Sequence, residues 1–131
     1  MIPMHFRLIA LVGAFALIAG TAKAHHSFAA DYFEDQSITV SGELVQFEYR
    51  APHAWVHVRG LDEENRVQTY AAEWANPSRL GRDNVTKETL RPGDMLVLTG
   101  SPGRNANDRR LHLKRIERPS DGWRWEGFRR R

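Results

Sequence analysis

The sequence predicts a small, mainly β domain: an OB-like closed antiparallel β-barrel of five to six strands with one short helix. Three observations predict it. Short apolar runs with a period of two recur between Gly, Asn and Pro clusters, one helix start interrupts them after the third run, and a glycine divides the long first run.

The first strand is the run ITVSGELVQFEY from Ile38 to Tyr49, which alternates through Ile38, Val40 and Leu44; Gly42 inside it predicts the bulge or bend that a closing barrel requires. HAWVHVRG alternates next, LDEEN reads as a hairpin turn, and RVQTYAAEW returns as the third strand. Asn76 and Pro77 then supply an N-cap and a first-turn proline for a helix of about two turns in PSRLGRDNV, weakened by Gly81. After a capping-box-like Thr86 ahead of Thr89, the Pro-Gly turn of RPGD feeds the strand MLVLTG. SPGRNANDRR is a loop, LHLKRIER the fifth strand and DGWRWEG a short sixth. The expected divisions are a leader at 1–24, an N-terminal arm at 25–36, the barrel at 37–118 and a basic, aromatic tail at 119–131.

The leader carries Arg7, the apolar run LIALVGAFALIA from Leu8 to Ala19, and small residues at Ala22 and Ala24, the pattern of a secretory signal peptide. That run is shorter than the roughly 20 residues that span a bilayer. The expectation is therefore a soluble, periplasmic protein. Its 131 residues contain no cysteine, which excludes disulfides, thiol chemistry and a lipid-modified cysteine, and leaves hydrophobic packing to hold the domain.

Charge is uneven along the chain. Acidic side chains outnumber basic ones between residues 25 and 100, and the balance reverses from 101 to the end. A basic tail ending in Arg129, Arg130 and Arg131 suits polyanions, which outside the cytosol are lipid headgroups or cell-surface polysaccharide rather than nucleic acid.

The chemistry-bearing candidates are histidines. Cleavage behind Ala24 makes His25 the new terminus with His26 beside it, so that the free amine and the ring Nδ1 of one residue can close a chelate. Nitrogen-rich tetragonal sites suit Cu(II), making copper the expected metal ion. A cut behind Ala22 instead leaves Lys23-Ala24-His25, which can wrap Cu(II) or Ni(II) in a square plane. In RAPHAWVHV, His53 stands at a strand entry where Pro52 keeps the chain extended, and it is the expected third ligand. His57 lies about 13 Å further along an extended chain, too far to share an ion with His53. Trp55, His57 and Trp74 are the candidate lining of a ligand groove, since barrel faces stack ligands on aromatic rings. His112 alternates with Leu111 and Leu113 and reads as outward.

AHHSFAADY after a signal peptide, PHAWVHV, EWANPSRLGR and LRPGDMLVLTG, in that order, resemble a bacterial family of small exported proteins known as domain of unknown function 6152. The resemblance covers nearly the whole chain after the leader and implies an envelope location without an established activity. Members usually carry Asn before the Pro-His pair, where this chain has Ala51.

No Gly-x-Ser-x-Gly elbow, phosphate-binding glycine loop, His-Glu-x-x-His or dinucleotide fingerprint occurs. Asp31, Glu34, Glu48 and Glu73 are each able to pair with a histidine, but their spacing singles out none. The expected function is a non-enzymatic periplasmic binding or accessory module that takes copper at its processed terminus. The alternative is a module docking an anionic envelope component through the tail.

Overall fold

A computed structural model describes residues 27–127. The leader, His25, His26 and Arg129 to Arg131 lie outside the described residues. Six strands form one sheet: β1 (Ile38–Glu48), β2 (Trp55–Leu61), β3 (Val67–Glu73), β4 (Met95–Pro102), β5 (Arg110–Arg118) and β6 (Trp123–Glu126). Their order is β3-β2-β1-β4-β5-β6, and an additional pairing of β3 with β5 closes the first five into a barrel. Val40, Leu44, Val56, Val58, Leu98 and Ile116 fill its interior from the strands, and Leu80, Val85 and Leu90 pack with them from the β3–β4 connection.

The closing pair is parallel, with Ala71 to Glu73 running beside Arg110 to His112, while the other pairs are antiparallel. This corrects the expectation of an all-antiparallel barrel. A ring with an odd number of strands cannot alternate direction all the way round, so two neighbours must run the same way.

The glycine of the first strand also acts differently than predicted. The register shift in β1 falls between Leu44 and Gln46, which leaves Val45 as the extra residue and makes the bulge. Gly42 instead faces Gly60 across the β1–β2 ladder. A Cβ on Gly42 would lie 2.5 Å from the Arg59 carbonyl oxygen, and one on Gly60 would lie 2.4 Å from that of Ser41. The paired glycines let two tightly coiled strands approach where any side chain would collide.

Among the described residues, two α-helices occur where one was expected. Helix α1 (Phe28–Asp31) belongs to the N-terminal arm and is capped by Ser27, whose Oγ accepts from the Ala29 N–H at 3.3 Å. Helix α2 (Pro77–Arg82) is the one predicted: Asn76 Oδ1 accepts from the Arg79 N–H at 2.9 Å, and Leu80 points into the core. A 3-10 turn (Ala106–Asp108) precedes β5.

The β2–β3 turn is organised by Asp62, whose two oxygens accept from the backbone of Glu64 and Arg66 and from the side chains of Arg66 and Gln68. Desolvation pushes this carboxyl upward, but the Arg66 and Gln68 hydrogen bonds outweigh it and hold it at about 2.

The tail adds a strand to the sheet outside the closed barrel. β6 pairs with β5 from Arg118 opposite Trp123 to Arg115 opposite Glu126. Trp125 is buried, meets Trp74 edge to face at 5.1 Å, and donates its indole N–H to Asp83 Oδ2 at 2.9 Å. Trp125 is thus an anchor of the tail strand, and the folded unit extends beyond residue 118.

Candidate functional site

The arm from Ser27 to Gln36 crosses the outer face of the barrel where β3 and β5 meet. Its backbone is tied to the end of β4 by Phe33 N–H to Pro102 O (2.9 Å) and to the β4–β5 loop by Arg104 N–H to Asp31 O (2.9 Å). Phe28 and Tyr32, four residues apart on and just after α1, turn towards the barrel. Phe28 stacks on the His112 imidazole with ring centroids 3.6 Å apart and planes inclined by 6°, and its ring lies 5.1 Å from that of His53. Tyr32 is fully buried.

Beneath the arm, Glu73 ends β3 on the outward side and collects three donors. Its Oε1 accepts from His53 Nδ1 at 2.7 Å, and its Oε2 accepts from the Tyr32 hydroxyl and from Arg110 Nη2 at 3.2 Å. Burial, reinforced by the hydrogen bond to Glu73 and its charge, pushes the Tyr32 hydroxyl far above the ordinary phenol value, so Tyr32 acts as a donor. Arg110 also lies 5.0 Å over Trp55 and 5.6 Å over Tyr32, covering both rings with its guanidinium.

Two more histidines repeat the motif. His112 Nδ1 is 2.8 Å from Glu34 Oε1, and Lys114 Nζ reaches the other oxygen of Glu34. His57 Nε2 is 2.8 Å from Glu48 Oε1, and Arg50 Nε lies 2.6 Å from Glu48 Oε2. Three of the four carboxylates that spacing could not rank therefore pair with a histidine: Glu34, Glu48 and Glu73.

A carboxylate that accepts the N–H of one ring nitrogen fixes the tautomer and leaves the other nitrogen with its lone pair, which is how metal-binding imidazoles are usually held. His53 and His112 are held in this way through Nδ1, which leaves Nε2. Among the described residues, however, no group of three or more His, Cys, Asp or Glu side chains is placed to hold one ion. His25 and His26 lie outside the described residues.

The predicted ligand groove is corrected. Trp55 and His57 share the outer face, with ring centroids 6.4 Å apart, but Trp74 is buried in the core. The reason is alternation: Glu73 points outward at the end of β3, so Trp74 points inward. A groove of about 500 Å³ does exist elsewhere, between the β2–β3 turn and the β4–β5 loop, with Phe33, Leu61, Tyr70 and Arg109 in its wall. There Arg109 lies over Tyr70 and 3.7 Å from Asp62.

Phe28, Tyr32, Arg110 and His112 are members of the cluster that sequence reasoning did not select, and Glu34 and Glu73 are two of the carboxylates it could not rank. Alternation in LHLKR puts His112 and Lys114 on the outer face, but Glu34 reaches them from 78 and 80 residues away, and no local pattern encodes that docking.

The burial of His112 beside Glu34 makes the arm sensitive to acid. Burial is the chief influence on His112 and pushes its pKa down, against the hydrogen bond it donates to Glu34. Burial alone would raise Glu34, but the hydrogen bonds from Lys114 and His112 outweigh it and hold the carboxyl below its ordinary value. Both groups then bind protons more readily in the unfolded chain. The His112 contribution is present above the ordinary imidazole value near 6.5 and is lost as pH falls through its depressed value; that of Glu34 is lost at lower pH, below the usual carboxyl range. Denaturant midpoints of metal-free protein should fall between pH 7.5 and 5.5, and His112→Gln should flatten that decline. A wild-type midpoint constant over this range would contradict the assignment.

A family model matches residues 14–112 of the chain. The chain belongs to the family of unknown function DUF6152. The matched region of this DUF6152 member includes every residue of the arm cluster, from Phe28 and Glu34 to His53, Glu73, Arg110 and His112, and ends before β6. No curated protein matches the sequence. Among solved structures, the chain is similar to the mitochondrial single-stranded DNA binding protein Rim1 from S. cerevisiae, with 14% identity and a TM-score of 0.46 over 63% of this chain and 91% of that one.

Proposed function

We propose that this protein is an exported, non-enzymatic periplasmic module that binds copper through its processed terminus, His25 and His26, with His53 as the ligand contributed by the barrel. The observation that carries this reading is the seating of Phe28 against both His53 and His112. His26 is two residues from Phe28, within about 7 Å of chain, a span short enough to reach an imidazole already oriented by Glu73. In that position the terminal amine and His25 Nδ1 form a chelate ring, and His53 Nε2 adds a third nitrogen. Such a set suits Cu(II).

A binding role also fits the state of the carboxylates. Glu73 takes three donors, and Glu34 and Glu48 take two each, so each is occupied by fixed partners and poorly suited to act as a general base.

Calorimetry of the mature protein with Cu(II), its terminus verified by amino-terminal sequencing, tests the reading. His25→Ala should weaken binding by at least a hundredfold and His53→Ala by about tenfold. Affinity unchanged in His25→Ala would reject the site.

A further inference from the structure

Strand β3 is covered along only part of its outer edge. β5 pairs with Ala71, Ala72 and Glu73, and among the described residues no strand lies beside Val67 to Tyr70 on that side. The Ala71 N–H donates to the Arg109 carbonyl at 3.1 Å, so the backbone of Ala71 faces away from β2. Strand alternation, unbroken in the β2–β3 register, turns the N–H and C=O of Val67 and Thr69 the same way, onto the open edge.

An open edge is a template for another strand, and native proteins usually blunt it with charge, proline or brevity. β6 does so, having four residues of which Arg124 and Glu126 are exposed. The open part of β3, Val67-Gln68-Thr69-Tyr70, carries no charge and no proline. Val67 is 64% exposed and its cross-strand partner Leu61 is 59% exposed, so an apolar pair flanks the free edge.

The two ends of this edge differ in charge. Before Val67, the β2–β3 turn sets Asp62, Glu63 and Glu64 against Arg66. Just beyond Tyr70 lies Arg109, with its guanidinium over the Tyr70 ring. Asp62, 3.7 Å from that guanidinium, is already engaged by Arg66 and Gln68, and Asp108 accepts from Asn105. A strand of the same sequence laid antiparallel along the edge brings the acidic turn of one copy to Arg109 of the other.

We propose that this edge is a self-association surface, through which two copies of the protein pair their β3 strands antiparallel about a twofold axis at Gln68. In that register Val67 opposes Thr69 of the second copy, and each such pair exchanges both of its N–H···O bonds. The interface is isologous, so every contact occurs twice. Its apolar part is confined to Leu61 and Val67 of each copy, so association is weak, with a Kd above about 1 μM. None of the proposed copper ligands lies on this edge.

Sedimentation velocity of the mature protein, with a chelator present, tests the proposal. The wild type should shift from monomer towards dimer as its concentration rises. Thr69→Pro removes an N–H that faces away from β2 and should raise Kd at least tenfold. Val67→Lys, which adds the missing edge charge, should do the same, so that either variant serves if the other does not fold. Arg109→Glu and the double variant Glu63→Arg/Glu64→Arg should each stay monomeric alone and associate when mixed, because only the mixture restores both charge contacts. A wild type that is monomeric up to about 1 mM, a dimer unchanged by both edge variants, or a mixture that behaves as its separate components would overturn the proposal. So would a dimer lost only when residues 128–131 are deleted, because the contact would then belong to the tail.

Discussion

Trp74→Ala should destabilise the protein by about 4 kcal/mol, within the range for removing a buried tryptophan from a core. Its side chain is among the largest that the fold buries completely, and it touches Phe47 and Trp125 at centroid distances of 6.0 and 5.1 Å. The loss should not be moderated by collapse, because the vacated space would join the neighbouring hollow that Trp74 already lines. Trp125 would lose its edge-to-face partner, so the four-residue strand β6 should loosen with it. Urea denaturation measures the first effect, and faster amide exchange in β6 measures the second. A midpoint within the error of wild type would show that Trp74 does not support this core. Trp74→Phe, by contrast, retains aromatic packing and removes an unsatisfied donor, so its loss should stay below about 1.5 kcal/mol.

Glu73→Ala should destabilise by about 3 kcal/mol and release the arm. Removing one partner of a largely buried charged cluster leaves the others desolvated without compensation. Here those are the Tyr32 phenol, the His53 imidazole and the Arg110 guanidinium. The figure is at the lower end of that range because Arg110 retains contact with water. Glu73→Gln keeps the shape and one acceptor, and should lose about half as much. Limited proteolysis gives the clearest readout, since the bonds around Phe28 to Phe33 become accessible only when the arm lifts. Equal cleavage rates in wild type and Glu73→Ala would show that Glu73 does not hold the arm. On the proposed function, the same variant should weaken copper binding, because His53 loses the carboxylate that orients it.

These two residues are neighbours in sequence, yet they differ in how legible they were. The strands around them followed from alternation: Val56 and Val58 inward, Trp55 and His57 outward. Helix α2 followed from Asn76 and Pro77, and the short sixth strand from the stretch DGWRWEG. Trp74 was read as groove lining because aromatic rings on barrel faces stack ligands, whereas alternation from the outward Glu73 turns it into the core. Glu73 was one carboxylate among several, and nothing within a few residues of it indicates that Tyr32 and Arg110 will converge there.

Composition and periodicity, acting through neighbours a few residues apart, determined the β-barrel class, the strand list, the capped helix and the outward face that carries His57 and His112. Those features depend on local sterics and on which side chains avoid water, and both are written in adjacent residues. The parallel closure of β3 on β5, the close approach at Gly42 and Gly60, the burial of Trp74 and the gathering of Phe28, Tyr32, Glu34, His53, Glu73 and His112 were decided only by the tertiary structure. Each depends on contacts between segments tens of residues apart, whose partners are selected by ring closure and by the docking of the arm rather than by any local preference.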